Sequence, residues 1–299
     1  MNLIDEGRLK RYFRARNKIA FEGAILHITQ HATGFESLFL EEVDYLHMLY
    51  LIKEVSKSFK FGVLSFALML NHLHLLIEMG GANLSEIMEC LFKRYAFYFN
   101  SKYNRKGHVF SGSFRSALCL DDSYLLSASL YIHLNPVKAG IVEDPAGYRW
   151  SSCNLFSRDT NIASFVDYTS VLDLLNLDTQ KARVSYRQLL EGMRKEKLPD
   201  TMKQPKATEE IVKAFNKALN DIEGLVLPNG SLSECQSFEH QIQALKNKGR
   251  LRGSRELEIR RLLIRRLMNM GYSIPQIADR FRISKTAIYN TLNLTKLTM

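Results

Sequence analysis

LMLNHLHLLIE, residues 68–78, sets His72 and His74 two positions apart within an otherwise apolar run. FGVLSFALM (61–69) leads into it and Gly80-Gly81 stops it. The run therefore reads as a strand, or as a hairpin running into one. Residues two apart on a strand share a face and lie about 6.6 Å apart. Read as one continuous strand, the histidine face also carries Phe66, Leu68, Leu70 and Leu76, and the other face carries Ala67, Met69, Leu73, Leu75 and Ile77. Both faces are apolar, which predicts a central strand with the histidines at its polar end. Such a pair suits two imidazole nitrogens converging on one cation at about 2 Å each. It equally suits two structural histidines satisfied by backbone or carboxylate partners, and a short His-x-His does not decide between the two.

Outward from this stretch, AILHITQ (24–30) alternates and is β-rich, so it predicts another strand. Residues 40–60 have helical periodicity, with Val43, Leu46, Leu49, Tyr50 and Ile52 or Lys53 near one face. Residues 84–103 predict a long helix, and 108–119 a short extended segment. Asp121-Asp122-Ser123 is an N-cap cluster opening a helix to about Asn135. Pro136 should end or kink it there. The order strand, helix, strand, helix, strand, helix predicts an α+β sandwich, with helices on one face of a mainly antiparallel sheet.

Residues 165–198 look helical and are expected to pack on this first domain. Residues 199–250 are broken by Pro199, Pro205 and Pro228-Asn229-Gly230. One amphipathic helix sits among them, with Ile211, Phe215, Leu219 and Ile222 at helical spacing after Thr208. The tail, RELEIRRLLIRRLMNMGYSIPQIADRFRISKTAIYNTLN, reads as helix, turn, helix, turn, helix. Ser273 and Gln276 form a capping box, Arg282-Ile283 makes a turn, and Ser284 caps the last helix. The small Ala278 allows close helix crossing. In this helix-turn-helix pattern the second helix presents Lys285, Thr286, Tyr289 and Asn290 to a major groove. The expected division is 1–155, a helical extension 156–198, a linker with one helix 199–250, and a DNA-binding domain 251–299.

Composition narrows the partners. No apolar run approaches the roughly 18–20 residues needed to cross a bilayer. The N-terminal MNLIDEGRLKRYFRARNK has no apolar core, which argues against a secretory signal. The four cysteines lie far apart, with no CxxC pair, which suits a reducing cytoplasm. The net charge is +10 and unevenly placed. Residues 91–120 carry Lys93, Arg94, Lys102, Arg105, Lys106 and Arg115 and no acid; residues 246–266 are the second basic block. Two such blocks suggest two polyanion surfaces, nucleic acid first, or else solvated charge on helix faces.

The helix at 123–135 supplies what the two histidines need for chemistry. Tyr131 and Asn135 are one turn apart and share a face. An Asn135 amide oxygen completes a His-His-Asn site for a hard cation, Mg²⁺ or Mn²⁺. Tyr131 then faces a phosphate held by that cation and attacks phosphorus, provided a metal or basic side chain helps ionise it. Tyr124, two turns earlier, is a second candidate nucleophile without a partner four residues on. His133 points elsewhere on the helix and is a candidate DNA contact. Tyr131 is equally readable as a core tyrosine, and spacing alone does not decide.

LMLNHLHLLIE, KRYAFYFNSKYNRKGHVFSGSFRS, DDSYLLSASLYIHLNPVKAGIV and YRWSS follow one another at the spacing of one family. Over about residues 9–190 the chain resembles the single-tyrosine HUH transposases, and within them the REP-associated tyrosine transposases. The resemblance implies a ferredoxin-like sheet, in keeping with the element order. It implies that His72 and His74 hold a metal, with Asn135 as the polar ligand and Tyr131 as nucleophile. It implies cleavage of single-stranded DNA beside a hairpin, a 5′-phosphotyrosine link, a free 3′-OH, no ATP, and a homodimer. A cytoplasmic, nucleoid-associated location follows from such a substrate. Two positions depart from the family pattern: His31-Ala32 stands where an arginine-glycine pair is frequent, and Gly112-Ser113-Phe114-Arg115 lacks one basic residue. These put the substrate sequence in doubt more than the chemistry. The aromatic residues Phe92, Tyr95, Phe97, Tyr98, Phe99 and Tyr103 interleave with the first basic block, so those rings that face outward can stack on bases, with Arg94, Lys102 and Arg115 on phosphates. The tail is the feature that keeps a second reading open, a host-adopted regulator that binds duplex DNA through the helix-turn-helix.

Overall fold

The computed structural model describes residues 23–34, 36–80, 83–119, 121–159, 162–199, 207–222 and 225, and in the tail 260, 264, 267 and 273–292. The N-terminal segment 1–22, Pro205, Pro228-Asn229-Gly230 and most of the first tail helix lie outside them. The chain divides into two units, Met1–Pro228 and Asn229–Met299. That boundary differs from the expected one at 250/251.

The first unit runs β1 (Ile25–His31), α1 (Glu42–Phe59), β2 (Gly62–Met69), β3 (His72–Glu78), α2 (Leu84–Lys102), β4 (Arg115–Cys119), α3 (Asp122–Lys138). The sheet is antiparallel in the order β2-β3-β1-β4. This is the split βαβ arrangement. The opening stretch is a hairpin, not one strand: Leu70 and Asn71 form a two-residue turn and Met69 pairs with His72. That turn reverses the expected faces. Ala67 and Met69 stand opposite His74 and His72 and share their face, while Phe66 and Leu68 pair with Leu75 and Leu73 on the other. Beyond Glu78, Gly80 passes so close to the Lys60 carbonyl that a Cβ there would lie 1.6 Å from the oxygen, so only glycine fits.

The sheet is covered on both faces, which corrects the expectation of helices on one. Helix α3 lies on the histidine face, against β2, β3 and β4. The opposite face, with Leu26, Ile28, Leu73, Leu75 and Ile77, is equally buried, beneath the α1–α2 pair. Both of those helices belong to crossovers between parallel strands, whose right-handedness puts them on one side. The outer edge of β2 is capped by the YRWSS segment and its sequel: Leu68 N–H donates to the Trp150 carbonyl (2.9 Å), Ser152 N–H to that of Phe66 (3.0 Å) and Asp167 N–H to that of Val63 (2.8 Å). An unpaired edge is thereby removed.

Helix α1 is rotated from its expected setting. Val43, Leu46 and Tyr50 are about half exposed, at 47%, 49% and 52%, while Met48, Leu51, Ile52 and Val55 are buried. The cause is Asp44, which is fully buried and accepts from the N–H groups of Leu40 (2.9 Å) and Glu41 (3.0 Å) at the helix start. It also accepts from Tyr98 (2.9 Å), Lys102 (2.7 Å) and Tyr103 (2.7 Å) on and just beyond α2. Burial pushes the Asp44 carboxyl up, but these donors outweigh it and hold the group down at about 2. A carboxylate so engaged must face α2, and it turns the whole stripe with it.

Helix α3 continues through Pro136 to Lys138 instead of ending at Asn135. The proline sits in the last turn, where its missing N–H forfeits a single helical bond. The N–H groups of Ala139 and Ile141 satisfy the Asn135 and Pro136 carbonyls (2.9 and 3.0 Å). Downstream come α4 (Cys153–Ser157), α5 (Tyr168–Leu172), α6 (Thr179–Arg194) and α7 (Ala207–Asn220). Helix α7 is not a linker helix: it packs on α3 and α6, with Ile211, Phe215 and Leu219 in the main core. Among the described residues no helix is long and apolar enough to cross a membrane.

In the second unit, α8 (Ile274–Phe281) opens on the Ser273–Gln276 capping box and ends with Arg282 in the left-handed region (φ 53°). Helix α9 (Lys285–Leu292) follows, with Ala287 N–H donating to Ser284 Oγ (3.1 Å). Ile264, Leu267, Ile277, Ala278, Phe281, Ile288 and Leu292 form a small separate core.

Candidate active site on the histidine face of the sheet

The central strand β3 aims His72 and His74 at one side, and the pairing register brings β1 residues alongside. His31 stands opposite His72 and Thr29 opposite His74. The His72 and His74 ring centroids are 5.1 Å apart, at 84° to each other. His31 stacks on His72 at 5.0 Å. His72 Nδ1 is hydrogen-bonded with Asn71 Oδ1 (2.8 Å), and His74 Nδ1 with His27 Nε2 (3.0 Å) and Thr29 Oγ1 (3.3 Å). Each Nδ1 thus has a protein partner, and each Nε2 is the atom left to coordinate. This is the outer-shell arrangement that orients metal-binding imidazoles.

Helix α3 brings Tyr131 to the same place. Asp121 caps the helix, its side chain accepting from Tyr124 N–H (2.7 Å), and so fixes the rotation of everything after it. The Tyr131 ring lies 5.8 Å from that of His74 and 6.1 Å from that of His27, edge-on to both. Tyr131 is only 1% exposed. Its hydroxyl donates to the Pro199 carbonyl (3.2 Å), and Lys138 Nζ donates to the same oxygen. Lys138 Nζ also lies 5.4 Å from the Tyr131 ring centre. Lys138 is thus the basic side chain that shares an acceptor with the Tyr131 hydroxyl. The strap ending at Pro199 covers the tyrosine.

Asn135 is buried one turn beyond Tyr131, with Nδ2 donating back to the Tyr131 carbonyl (2.7 Å). That leaves Oδ1 as its ligand atom, though no hydrogen bond among the described residues joins Asn135 to either histidine. Also among the described residues, no three His, Cys, Asp or Glu side chains gather as a metal cluster. The donor set therefore fits a hard cation held by two imidazoles and completed by oxygen, from an amide, water or phosphate. Burial lowers the His72 pKa to about 4, assisted by His31, and that of His27 to about 4; His74 is pushed well below its ordinary value, again by burial first. All three rings are neutral at neutral pH, the form in which an imidazole can bind a metal.

His133, weighed as a DNA contact, is fully buried: Nδ1 is bonded with Tyr186 Oη (2.7 Å) and Nε2 with Ser152 Oγ (2.8 Å). It pins α3 to α6 and to the segment that caps β2. Burial lowers its pKa to about 3. The unfolded chain takes up protons near pH 6.5 that the folded chain refuses. Stability is therefore full above about 6.5 and falls as the pH drops toward 4, by on the order of 2 kcal/mol each for His27 and His133 by pH 5. Urea unfolding at about pH 7 and pH 5 checks this; equal stabilities would refute it.

The other candidates are scattered. Arg115 is exposed, and its register opposite Thr29 places it on the histidine face. Arg94 is exposed on α2, across the sheet from the histidines. Lys102 is engaged internally by Asp44 (2.7 Å) and Glu41 (3.2 Å), so its charge is already matched. Of the aromatic residues in this block, Phe97 is 78% exposed, while Phe92, Tyr95 and Phe99 are core. Tyr124 is buried, its hydroxyl bonded with Thr208 Oγ1 (3.3 Å). In the second unit Lys285, Thr286 and Asn290 are exposed and Tyr289 half-buried. Sequence reasoning missed His27, Thr29 and Lys138. The His27-x-Thr29-x-His31 alternation repeats the spacing of His72-x-His74, but only strand pairing sets the two side by side.

Residues 25–135 match the family described as "Transposase IS200 like". No curated protein matches the chain in sequence. Among solved structures, a REP-associated tyrosine transposase bound to a REP hairpin is similar, at 15% identity and a TM-score of 0.41, covering 46% of this chain and 82% of that one. The segment that matches the IS200-like transposase family, residues 25–135, holds the sheet, the paired histidines of β3, and Tyr131 with Asn135.

Proposed function

We propose that the chain is a metal-dependent nuclease and strand transferase acting on single-stranded DNA beside a hairpin. The observation that carries this is the meeting of His72, His74 and Tyr131 on one sheet face, with rings 5.1 and 5.8 Å apart. His72, His74 and the Asn135 oxygen would hold Mg²⁺ or Mn²⁺, which supplies Lewis-acid polarisation of a phosphoryl oxygen. Tyr131 Oη attacks phosphorus, the P–O3′ bond breaks, and a 5′-phosphotyrosine and a 3′-OH result; the phenol proton leaves and the 3′ oxygen gains one. The Lys138 ammonium beside Oη stabilises the phenolate. Attack also requires the Pro199 strap to withdraw, since its carbonyl now holds the hydroxyl. Arg115, exposed on the histidine face, would hold a phosphate there. Arg94 with Phe97 would serve flanking nucleotides, and Lys102 supports α1 and α2 instead. We take the active form to be a homodimer, to be checked by light scattering.

The experiment uses single-stranded hairpin DNA from the gene's own flanks, labelled separately at each end. With Mn²⁺, a covalent band carrying only the 3′-side label is expected on a denaturing gel. Labelled duplex bound without any adduct would favour the second reading, a regulator. That reading draws on the two capped helices of the second unit, which expose Lys285, Thr286 and Asn290 from a core of their own. Deleting residues 250–299 is expected to weaken duplex binding and reduce its salt slope while sparing hairpin cleavage. Binding unchanged at every salt concentration would remove the tail's DNA-binding role.

A further inference from the structure

We propose that His27 is a positioning residue that sets the tautomer of His74 and so makes His74 a metal ligand; this rests on the metal-site reading above. A neutral imidazole has one lone pair and one N–H. For His74 Nε2 to hold a cation, the His74 proton must sit on Nδ1. That nitrogen faces His27 Nε2 at 3.0 Å and Thr29 Oγ1 at 3.3 Å. Two neutral rings facing each other share one proton in the bond between them. If His74 Nδ1 carries it, His27 Nε2 accepts, and the remaining proton of His27 lies on its Nδ1. If His27 Nε2 carries it, His74 is left with its proton on Nε2, which blocks coordination. The two tautomers are therefore coupled.

His27 is otherwise hard to account for. It is 2% exposed, and its Nδ1 is buried with no hydrogen-bond partner among the described residues. Leaving a polar nitrogen so placed costs about 1–3 kcal/mol, which an apolar residue would avoid. Its ring also lies 5.2 Å from His74 and 6.1 Å from Tyr131, behind both reacting side chains. Metal-bound histidines ordinarily rest on a carboxylate or a carbonyl. Here the support is a second imidazole, with the Thr29 hydroxyl as the other partner.

The test measures Mn²⁺ affinity of the full chain by calorimetry in wild type, His72→Ala, His27→Phe and His27→Gln. Wild type should bind, and His72→Ala should bind far more weakly. His27→Phe should lose about 10–100-fold, the usual effect of removing an outer-shell partner. His27→Gln, whose amide oxygen can accept the same proton, should recover most of that loss; a merely space-filling role predicts the reverse order. Should His27→Phe not fold, long-range ¹H–¹⁵N spectra of the wild-type imidazoles with Mg²⁺ decide the matter. Nδ1–H tautomers at both His74 and His27 support the proposal, and an Nε2–H tautomer at His74 overturns it. Wild-type affinity in His27→Phe beside a weakened His72→Ala overturns it alone. Wild-type affinity in His72→Ala, or none in wild type, overturns the metal-site reading and this inference together.

Discussion

Tyr131→Phe is expected to abolish the covalent adduct with single-stranded DNA while leaving DNA binding in place. The substitution removes one oxygen. That oxygen donates to the Pro199 carbonyl, which keeps a second donor in Lys138. The loss of stability should therefore stay near 0.5–1.5 kcal/mol, the net worth of one hydrogen bond, and the variant should fold. Cleavage should fall by about 10⁴-fold or more, the scale on which an enzyme loses its nucleophile. The readout is the end-labelled adduct on a denaturing gel, with binding followed separately by mobility shift. An adduct of undiminished yield would move the nucleophile elsewhere. Tyr124 would be an unpromising replacement, because its hydroxyl is buried against Thr208 on α7.

His72→Ala is expected to eliminate metal-dependent cleavage, and added Mn²⁺ should not restore it. One imidazole would remain, and a hard cation so held falls back on water. The loss of affinity should exceed the ~10–100-fold that removing an outer-shell partner costs. His72 is only partly buried at the mouth of the β2–β3 hairpin, so truncating it opens no core cavity and should change stability little. Calorimetric titration with Mn²⁺ and a thermal melt separate the two effects. Unchanged affinity would strip His72 of the ligand role; a collapsed melt would show that the ring supports the fold instead.

Local pattern carried much of this protein. The alternation at 24–30, the long helix after Asn83, the Asp121 cap and the Ser273–Gln276 box are all encoded within a few residues. So is the spacing that sets Tyr131 and Asn135 on one face of α3. These features rest on short-range geometry, and the chain displays them directly. Helix α1 shows where that ends. Its apolar stripe, Val43, Leu46 and Tyr50, is as regular as a core stripe and yet half exposed, because Asp44 is claimed by Tyr98, Lys102 and Tyr103 some 54–59 residues away. No periodicity reveals a partner at that distance.

The site divides along the same line. Two histidines on β3 and a tyrosine on a capped helix are legible as a candidate, because strand and helix periods fix which side chains share a face. Their convergence is a matter of register. A two-residue turn at Leu70-Asn71 flips the faces of the hairpin, and β1 pairing then delivers His27, Thr29 and His31 to the back of the histidines. The strap that covers Tyr131 comes from Pro199, 68 residues on, through a carbonyl any residue could offer. The sequence alone determined the candidate groups and the elements that carry them, since both follow from side-chain chemistry and local backbone preference. Tertiary structure alone decided which neighbours tune, orient and cover those groups, since such contacts depend on strand order and packing between segments distant in the chain.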